Sequence, residues 1–169
     1  HFVGEGALRR ALLTIEGARQ MAELHRDRVA LVTTAPEMRT TIDGGRIALL
    51  LSLERMDPLG ADIDLIDTFW QLGVRMASLT WNRRTPFADG PGERGTGAGL
   101  TELGVKAVER MERLGMIVEI SHLSDAGFEH VASIATRPFV ASHSSCRAVN
   151  DHPRNLRDDQ LTAVAASGG

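Results

Sequence analysis

The chain has a single cysteine, Cys146, so no internal disulfide can form, and a cytoplasmic protein is the expectation. Its longest apolar run, Ile47 to Leu51, is far short of the roughly 20 residues that a membrane span needs, and no basic-then-apolar leader opens the sequence. A basic stripe interleaved with aromatics is missing, and a formal net charge of −3 gives no reason to expect nucleic acid. Neither GxGxxG after a strand nor GxxxxGK[ST] occurs, which leaves phosphate-cradle chemistry without support. Gly95-Thr96-Gly97-Ala98-Gly99 is glycine-rich but follows a loop. There is no initiator methionine, and the chain stops at Ser167-Gly168-Gly169 directly after a helical stretch, where an alternating α/β chain calls for another strand. The expectation is a fragment of something longer.

What is present suffices for one globular core, at 169 residues, 43% hydrophobic and 24% charged. The organising stretch is Gly115 to His143. Two short apolar runs, Ile117 to Ile120 and Phe139 to Ala141, each end in Ser-His, with a helix-length segment between them. Upstream, Arg46 to Glu54 is an apolar run punctuated by Gly44-Gly45 before it and Pro58-Leu59-Gly60 after it, which suits a strand buried on both faces. Val74 to Thr80 is the next strand. Four strands thus start near Ile47, Val74, Ile117 and Phe139, while Val29 to Thr33 either pairs at an edge or merely connects.

Helical spacing is found over Ala7 to Leu24, from Ala35-Pro36-Glu37 to Asp43, over Asp62 to Leu72, from Thr101 to Leu114, from Ser124 or Asp125 to Ala135, and from Asp158 to Ala166. Trp81 to Gly99 is too long for a simple connector and is expected to be functional or disordered. Strand, helix, strand alternation predicts a parallel sheet with right-handed crossovers. It suits an open doubly wound sheet or part of an eight-stranded barrel. In a barrel, chemistry gathers at the carboxyl ends of the strands.

Glu54, His122 and His143 each close an apolar strand, and imidazoles with a carboxylate are the ligand set that zinc and similar ions prefer. The plainer alternatives are a histidine that anchors a loop by hydrogen bonds and a glutamate that caps a helix or meets an arginine. No role falls to His1, His25 or His130. Cys146 reads as a buried small hydrophobe rather than a nucleophile. Arg147, His152 and Arg154 form a basic patch beyond His143, from which an arginine could grip a substrate carboxylate with a two-pronged hydrogen bond or simply pair with Asp151 or Asp158.

Four segments, IALLLSLERMDPLG, LGVRMASLTWNRRTPFADG, GLTELGVKAVERMERLGMIVEISHLSD and FVASHSSCRAVNDHPRNLRDDQL, cover most of the chain from Arg46 to Leu161. In this order they resemble the membrane dipeptidase family of metallopeptidases. The resemblance implies a partial (β/α)8 TIM-like barrel and hydrolysis of dipeptides at a site with two zinc ions, often with a D-residue tolerated at the C-terminal position. It implies that Glu54 bridges the metals and is thereby catalytic, that His122 and His143 bind one of them, and that Arg154 binds the substrate carboxylate. Trp81 stands where the family usually has a substrate-binding histidine, in Leu79-Thr80-Trp81-Asn82. The first strand's His-x-Asp pair and a later Asp have no counterpart in this sequence, so the chain is expected to be one partial barrel domain holding three of the metal ligands. Open strand edges favour self-association into a homo-oligomer. The rival expectations are another metal-dependent amidohydrolase acting on lactones, lactams or acyl amino acids, and a non-catalytic binding homologue.

Overall fold

The structure, a computed structural model, describes residues 5–169, with Arg94 described by its backbone alone. The reading of His1 lies outside the described residues. The helices are α1 (Glu5–Leu24), α2 (Ala35–Asp43), α3 (Leu65–Gln71), α4 (Glu102–Leu114), α5 (Asp125–Ile134) and α6 (Asp158–Ser167). The strands are β1 (Val29–Leu31), β2 (Ile47–Leu49), β3 (Leu51–Glu54), β4 (Val74–Ser78), β5 (Ile117–Glu119) and β6 (Phe139–Val140).

Strands β3, β4, β5 and β6 form one sheet in that order, every pair parallel. The order follows the chain without the reversal that marks a doubly wound sheet, as in a β/α barrel. Strands β1 and β2 form a separate parallel pair, with Val29 opposite Ile47.

That second sheet corrects the reading of Arg46 to Glu54 as one strand. Its first half pairs with β1, and Val32 N–H continues the ladder to the Leu49 carbonyl (2.9 Å), whereas from Leu51 onward the chain pairs with β4. The change of partner falls at Leu50, a partly exposed apolar residue between the two strands. A continuous apolar run carries no mark of a switch between two sheets.

Helix ends follow local chemistry. Thr101 caps α4 by accepting the Gly104 N–H (3.0 Å), and Gly115, at φ 75°, ends it in the left-handed conformation that glycine adopts without steric cost. Thr34 and Glu37 form a reciprocal capping box on α2. Ser124 caps α5 through the Gly127 N–H (3.0 Å). Between sheet and helices lies one apolar cluster that includes Phe69 from α3, Val74 and Ala77 from β4, Met111 from α4, and Phe128 and Val131 from α5. Burying each large apolar side chain contributes about 1.5–3 kcal/mol. Phe128 meets Phe139 edge to face with ring centroids 5.9 Å apart, which fixes α5 against β6.

The long loop after β4 is packed rather than disordered. Phe87, Ala88 and Asp89 are buried, and Asp89 accepts from Arg84 and Thr96 within the loop. A Cβ at Gly104 would stand 2.0 Å from the Phe87 carbonyl oxygen, so the loop closes on α4 only because that residue is glycine. Cys146 is exposed, contrary to the expectation of a buried hydrophobe. Its backbone bridges to Leu156 in the segment after β6, and it is Leu156 that reaches the core. No helix among the described residues is long and apolar enough to cross a membrane.

Candidate metal centre

Glu54 is the last residue of β3, and Arg55 after it takes φ 83°, the only positive φ of a non-glycine residue among those described. Such a conformation costs of order 1–3 kcal/mol and persists where the surroundings enforce it. Here the Arg55 N–H donates to Ser78 Oγ (2.9 Å) at the end of β4. Ser78 Oγ in turn donates to the Thr80 carbonyl (3.2 Å), and Thr80 Oγ1 donates to the His122 carbonyl. His143 N–H donates to Ser121 Oγ (3.1 Å). Hydroxyls therefore lace together the turns that carry Glu54, His122 and His143.

Glu54 Oε1 lies 3.1 Å from His122 Nε2 and 3.2 Å from His143 Nε2, and the three atoms fall within 4.8 Å of one another. Ligand atoms about 2.1 Å from a tetrahedral ion stand about 3.4 Å apart, close to these separations. His122 is buried, while the side chains of His143 and Glu54 remain 43% and 55% exposed, so the cluster opens to solvent on one side. Burial, then the Arg154 guanidinium, depress the His122 pKa from 6.5 to about 4, although Glu54 opposes the shift. At neutral pH this imidazole is uncharged, the form that ligates metals.

One arrangement of the hydrogen bonds gives His143 a defined tautomer. Ser142 Oγ donates to Glu119 Oε1 (3.2 Å) and so is left to accept from His143 Nδ1 (2.7 Å). In that arrangement the proton sits on Nδ1, and the Nε2 lone pair faces the Glu54 carboxylate. Two acceptors facing each other at 3.2 Å are relieved by a cation between them. By donor chemistry and spacing, these three residues fit a divalent metal.

Arg154 reaches the same place from the segment after β6. Its Nη2 is 3.1 Å from His122 Nε2 and 3.3 Å from the His143 carbonyl, while its buried Nη1 has no hydrogen-bond partner among the described residues. The Trp81 ring lies with its centroid 5.9 Å from that of His122. An open groove of about 410 Å³ between α1 and β3 runs past Glu54 and Trp81.

Glu54, Trp81, His122, His143 and Arg154, the five residues singled out in the sequence, thus meet at one end of the sheet. Neither His25 nor His130 joins the cluster. Arg147 pairs with neither Asp151 nor Asp158. Its guanidinium forms a two-pronged bond with Asp125 at the start of α5 (2.8 and 2.8 Å), which pins the segment after β6. Sequence reasoning missed Glu119, Ser121 and Ser142. The available signal was a charged residue inside the apolar run Ile117 to Ile120, and a serine before each histidine.

The model of the family described as membrane dipeptidase (peptidase family M19) matches residues 3–169. Dipeptidase verJ of Clonostachys rogersoniana is 35% identical over 164 residues, 96% of this chain and 42% of that protein. Dipeptidase 3 of Mus musculus is 33% identical over 168 residues, 96% of this chain and 33% of that protein. This chain thus spans between a third and a half of the length of these relatives. Among solved structures, a metallo peptidase from Rhodobacter sphaeroides liganded with a phosphinate mimic of the dipeptide L-Ala-D-Ala superposes with a TM-score of 0.93 at 35% identity, covering 99% of this chain and 49% of that one. An amidohydrolase from Pseudomonas aeruginosa gives a TM-score of 0.87 at 25% identity, covering 94% and 48%. With a sequential parallel sheet, ligand-type residues at its carboxyl end and a family match across nearly its whole length, the chain belongs to the membrane dipeptidase family and forms part of that family's TIM-like barrel.

Proposed function

We propose that this chain is the ligand-bearing part of a zinc-dependent dipeptidase, forming one partial barrel domain whose activity belongs to the complete barrel. The observation that carries this is the convergence of Glu54 Oε1 with the Nε2 atoms of His122 and His143. His122 and His143 would hold one zinc ion, and Glu54 would be a carboxylate ligand shared with a second. When bound, the ions polarise the scissile carbonyl and lower the pKa of the attacking water. Arg154 takes the substrate's terminal carboxylate, for which its unpartnered Nη1 and flat, forked donor geometry suit it. Trp81 lines the substrate side with an apolar face and a single N–H donor, so it can neither accept a hydrogen bond nor take up a proton. The L-Ala-D-Ala mimic bound by the Rhodobacter sphaeroides relative favours dipeptides, including those ending in a D-residue. A cytoplasmic location completes the reading.

Zinc analysis and dipeptide hydrolysis by the complete barrel test it. Zinc retained by the wild type and lost in both His122→Ala and His143→Ala, together with dipeptide cleavage, is expected. Zinc binding without cleavage of any dipeptide overturns the substrate assignment. The resemblance to an amidohydrolase, together with Trp81 in the substrate pocket, favours acyl amino acids and lactams as the alternative substrates to assay in parallel.

A further inference from the structure

Below the cluster, on β5, lies a carboxylate to which the proposed reaction gives no part. Glu119 is only 3% exposed, and its Oε1 alone receives four hydrogen bonds. They come from Ser121 N–H (3.0 Å), Ser121 Oγ, Ser142 N–H (2.9 Å) and Ser142 Oγ (3.2 Å). Ser121 and Ser142 are the residues immediately before His122 and His143. One oxygen therefore holds the turns that present both imidazoles, although they leave different strands. The same atom orients two hydroxyls. Ser121 Oγ, donating to Glu119, is left to accept the His143 N–H (3.1 Å), and Ser142 Oγ, donating likewise, is left to accept from His143 Nδ1 (2.7 Å).

We infer that Glu119 is a positioning residue for the metal centre: it locks the His122 and His143 turns to each other and, through the Ser142 hydroxyl, keeps the His143 proton on Nδ1 so that the Nε2 lone pair faces the metal. It touches neither metal nor substrate. Carboxylates that orient metal-binding histidines in this way commonly account for 10–100-fold in metal affinity. Here the orientation passes through a serine and reaches two histidines at once. This inference rests on the proposed metal reading of Glu54, His122 and His143.

A buried carboxylate at the opposite end of the sheet supplies the control. Glu112 is 8% exposed and accepts from Thr136 N–H (2.9 Å), Thr136 Oγ1 (2.6 Å) and Arg137 N–H (3.0 Å), far from any histidine of the cluster. The experiment compares Glu119→Ala, Glu119→Gln and Glu112→Ala in the complete barrel. Zinc affinity is measured by chelator competition well below each melting temperature, and the imidazole nitrogen signals of the metal-free proteins are recorded by NMR. Glu119→Ala is expected to weaken zinc binding by about 10–100-fold and to shift His143 from the Nδ1–H form toward the Nε2–H form. Glu119→Gln, which keeps a carbonyl acceptor for the two N–H groups, should recover part of both. Glu112→Ala should lower the melting temperature while leaving zinc affinity and the His143 tautomer unchanged. Equal zinc losses in Glu119→Ala and Glu112→Ala, or an unmoved tautomer in Glu119→Ala, overturn the inference. If His122→Ala and His143→Ala leave zinc affinity unchanged, the metal reading falls separately, and the metal-free tautomer still decides the role of Glu119.

Discussion

The two ends of the sheet β3-β4-β5-β6 solve the same packing problem with different results. At the amino end, Glu112 gathers the N–H groups of Thr136 and Arg137 ahead of β6, and the hydrogen bonds close on themselves. At the carboxyl end, Glu119 gathers the N–H groups of Ser121 and Ser142, but the residues that follow are histidines whose Nε2 atoms both turn to the Glu54 carboxylate. Buried His122 Nδ1 and Arg154 Nη1 have no hydrogen-bond partner among the described residues, and Arg55 beside Glu54 sits at φ 83°. Native interiors leave few such groups, and strain of this kind concentrates at working sites. A carboxylate that serves stability alone leaves nothing over, whereas one that serves a site holds other groups in readiness.

Substitutions can break that contrast. The largest effect expected is on metal: His122→Ala or His143→Ala should each reduce zinc affinity at least about 100-fold, since a ligand is removed outright, while His130→Ala should change it less than about twofold. Chelator competition measures this, and equal affinity across the three would remove the carboxyl end's distinction. Next comes Glu112→Ala, which removes the buried acceptor of three hydrogen bonds at the amino end and should cost about 1–3 kcal/mol of stability in a denaturant titration.

A smaller effect should follow Arg154→Lys, since a point charge replaces a two-pronged grip. KM for a dipeptide should rise about tenfold with little change in kcat, and an unchanged KM would free Arg154 from substrate binding. The smallest concerns Asp125, whose hydrogen bonds from Arg147 hold its pKa below the usual 3.8 against the opposing effect of burial. Because the folded pKa lies below the unfolded one, this pair's contribution is present above about pH 4 and is lost as pH falls through the folded pKa. Asp125 is half exposed, so Asp125→Asn should cost only about 0.2–1 kcal/mol at pH 7 and flatten the loss of melting temperature in acid. A steeper acid loss in that variant would contradict the assignment.

Much of this was legible in the sequence, for reasons that differ by element. Helix α4 was readable at both ends because Thr101 and Gly115 do local work, one accepting an N–H and the other adopting a left-handed φ. The cluster of Glu54, His122 and His143 was readable because strand ends in an alternating chain converge regardless of sequence distance. The split of Arg46 to Glu54 into β2 and β3 was not, since a strand's partner is a tertiary choice that apolar residues leave open. Nor were the Arg147 partner and the role of Glu119 legible. Asp125 and Ser142 lie 22 and 23 residues from Arg147 and Glu119, and although a serine stands before each histidine, which side chains meet across that distance is set by the tertiary structure.

The most direct test of the central claim is a crystal structure of the complete barrel with zinc, with anomalous differences measured at the zinc edge. The account predicts a peak about 2.0–2.2 Å from Glu54 Oε1, His122 Nε2 and His143 Nε2, with Arg154 displaced from His122. Zinc bound elsewhere, with Arg154 still on the His122 ring, would contradict it.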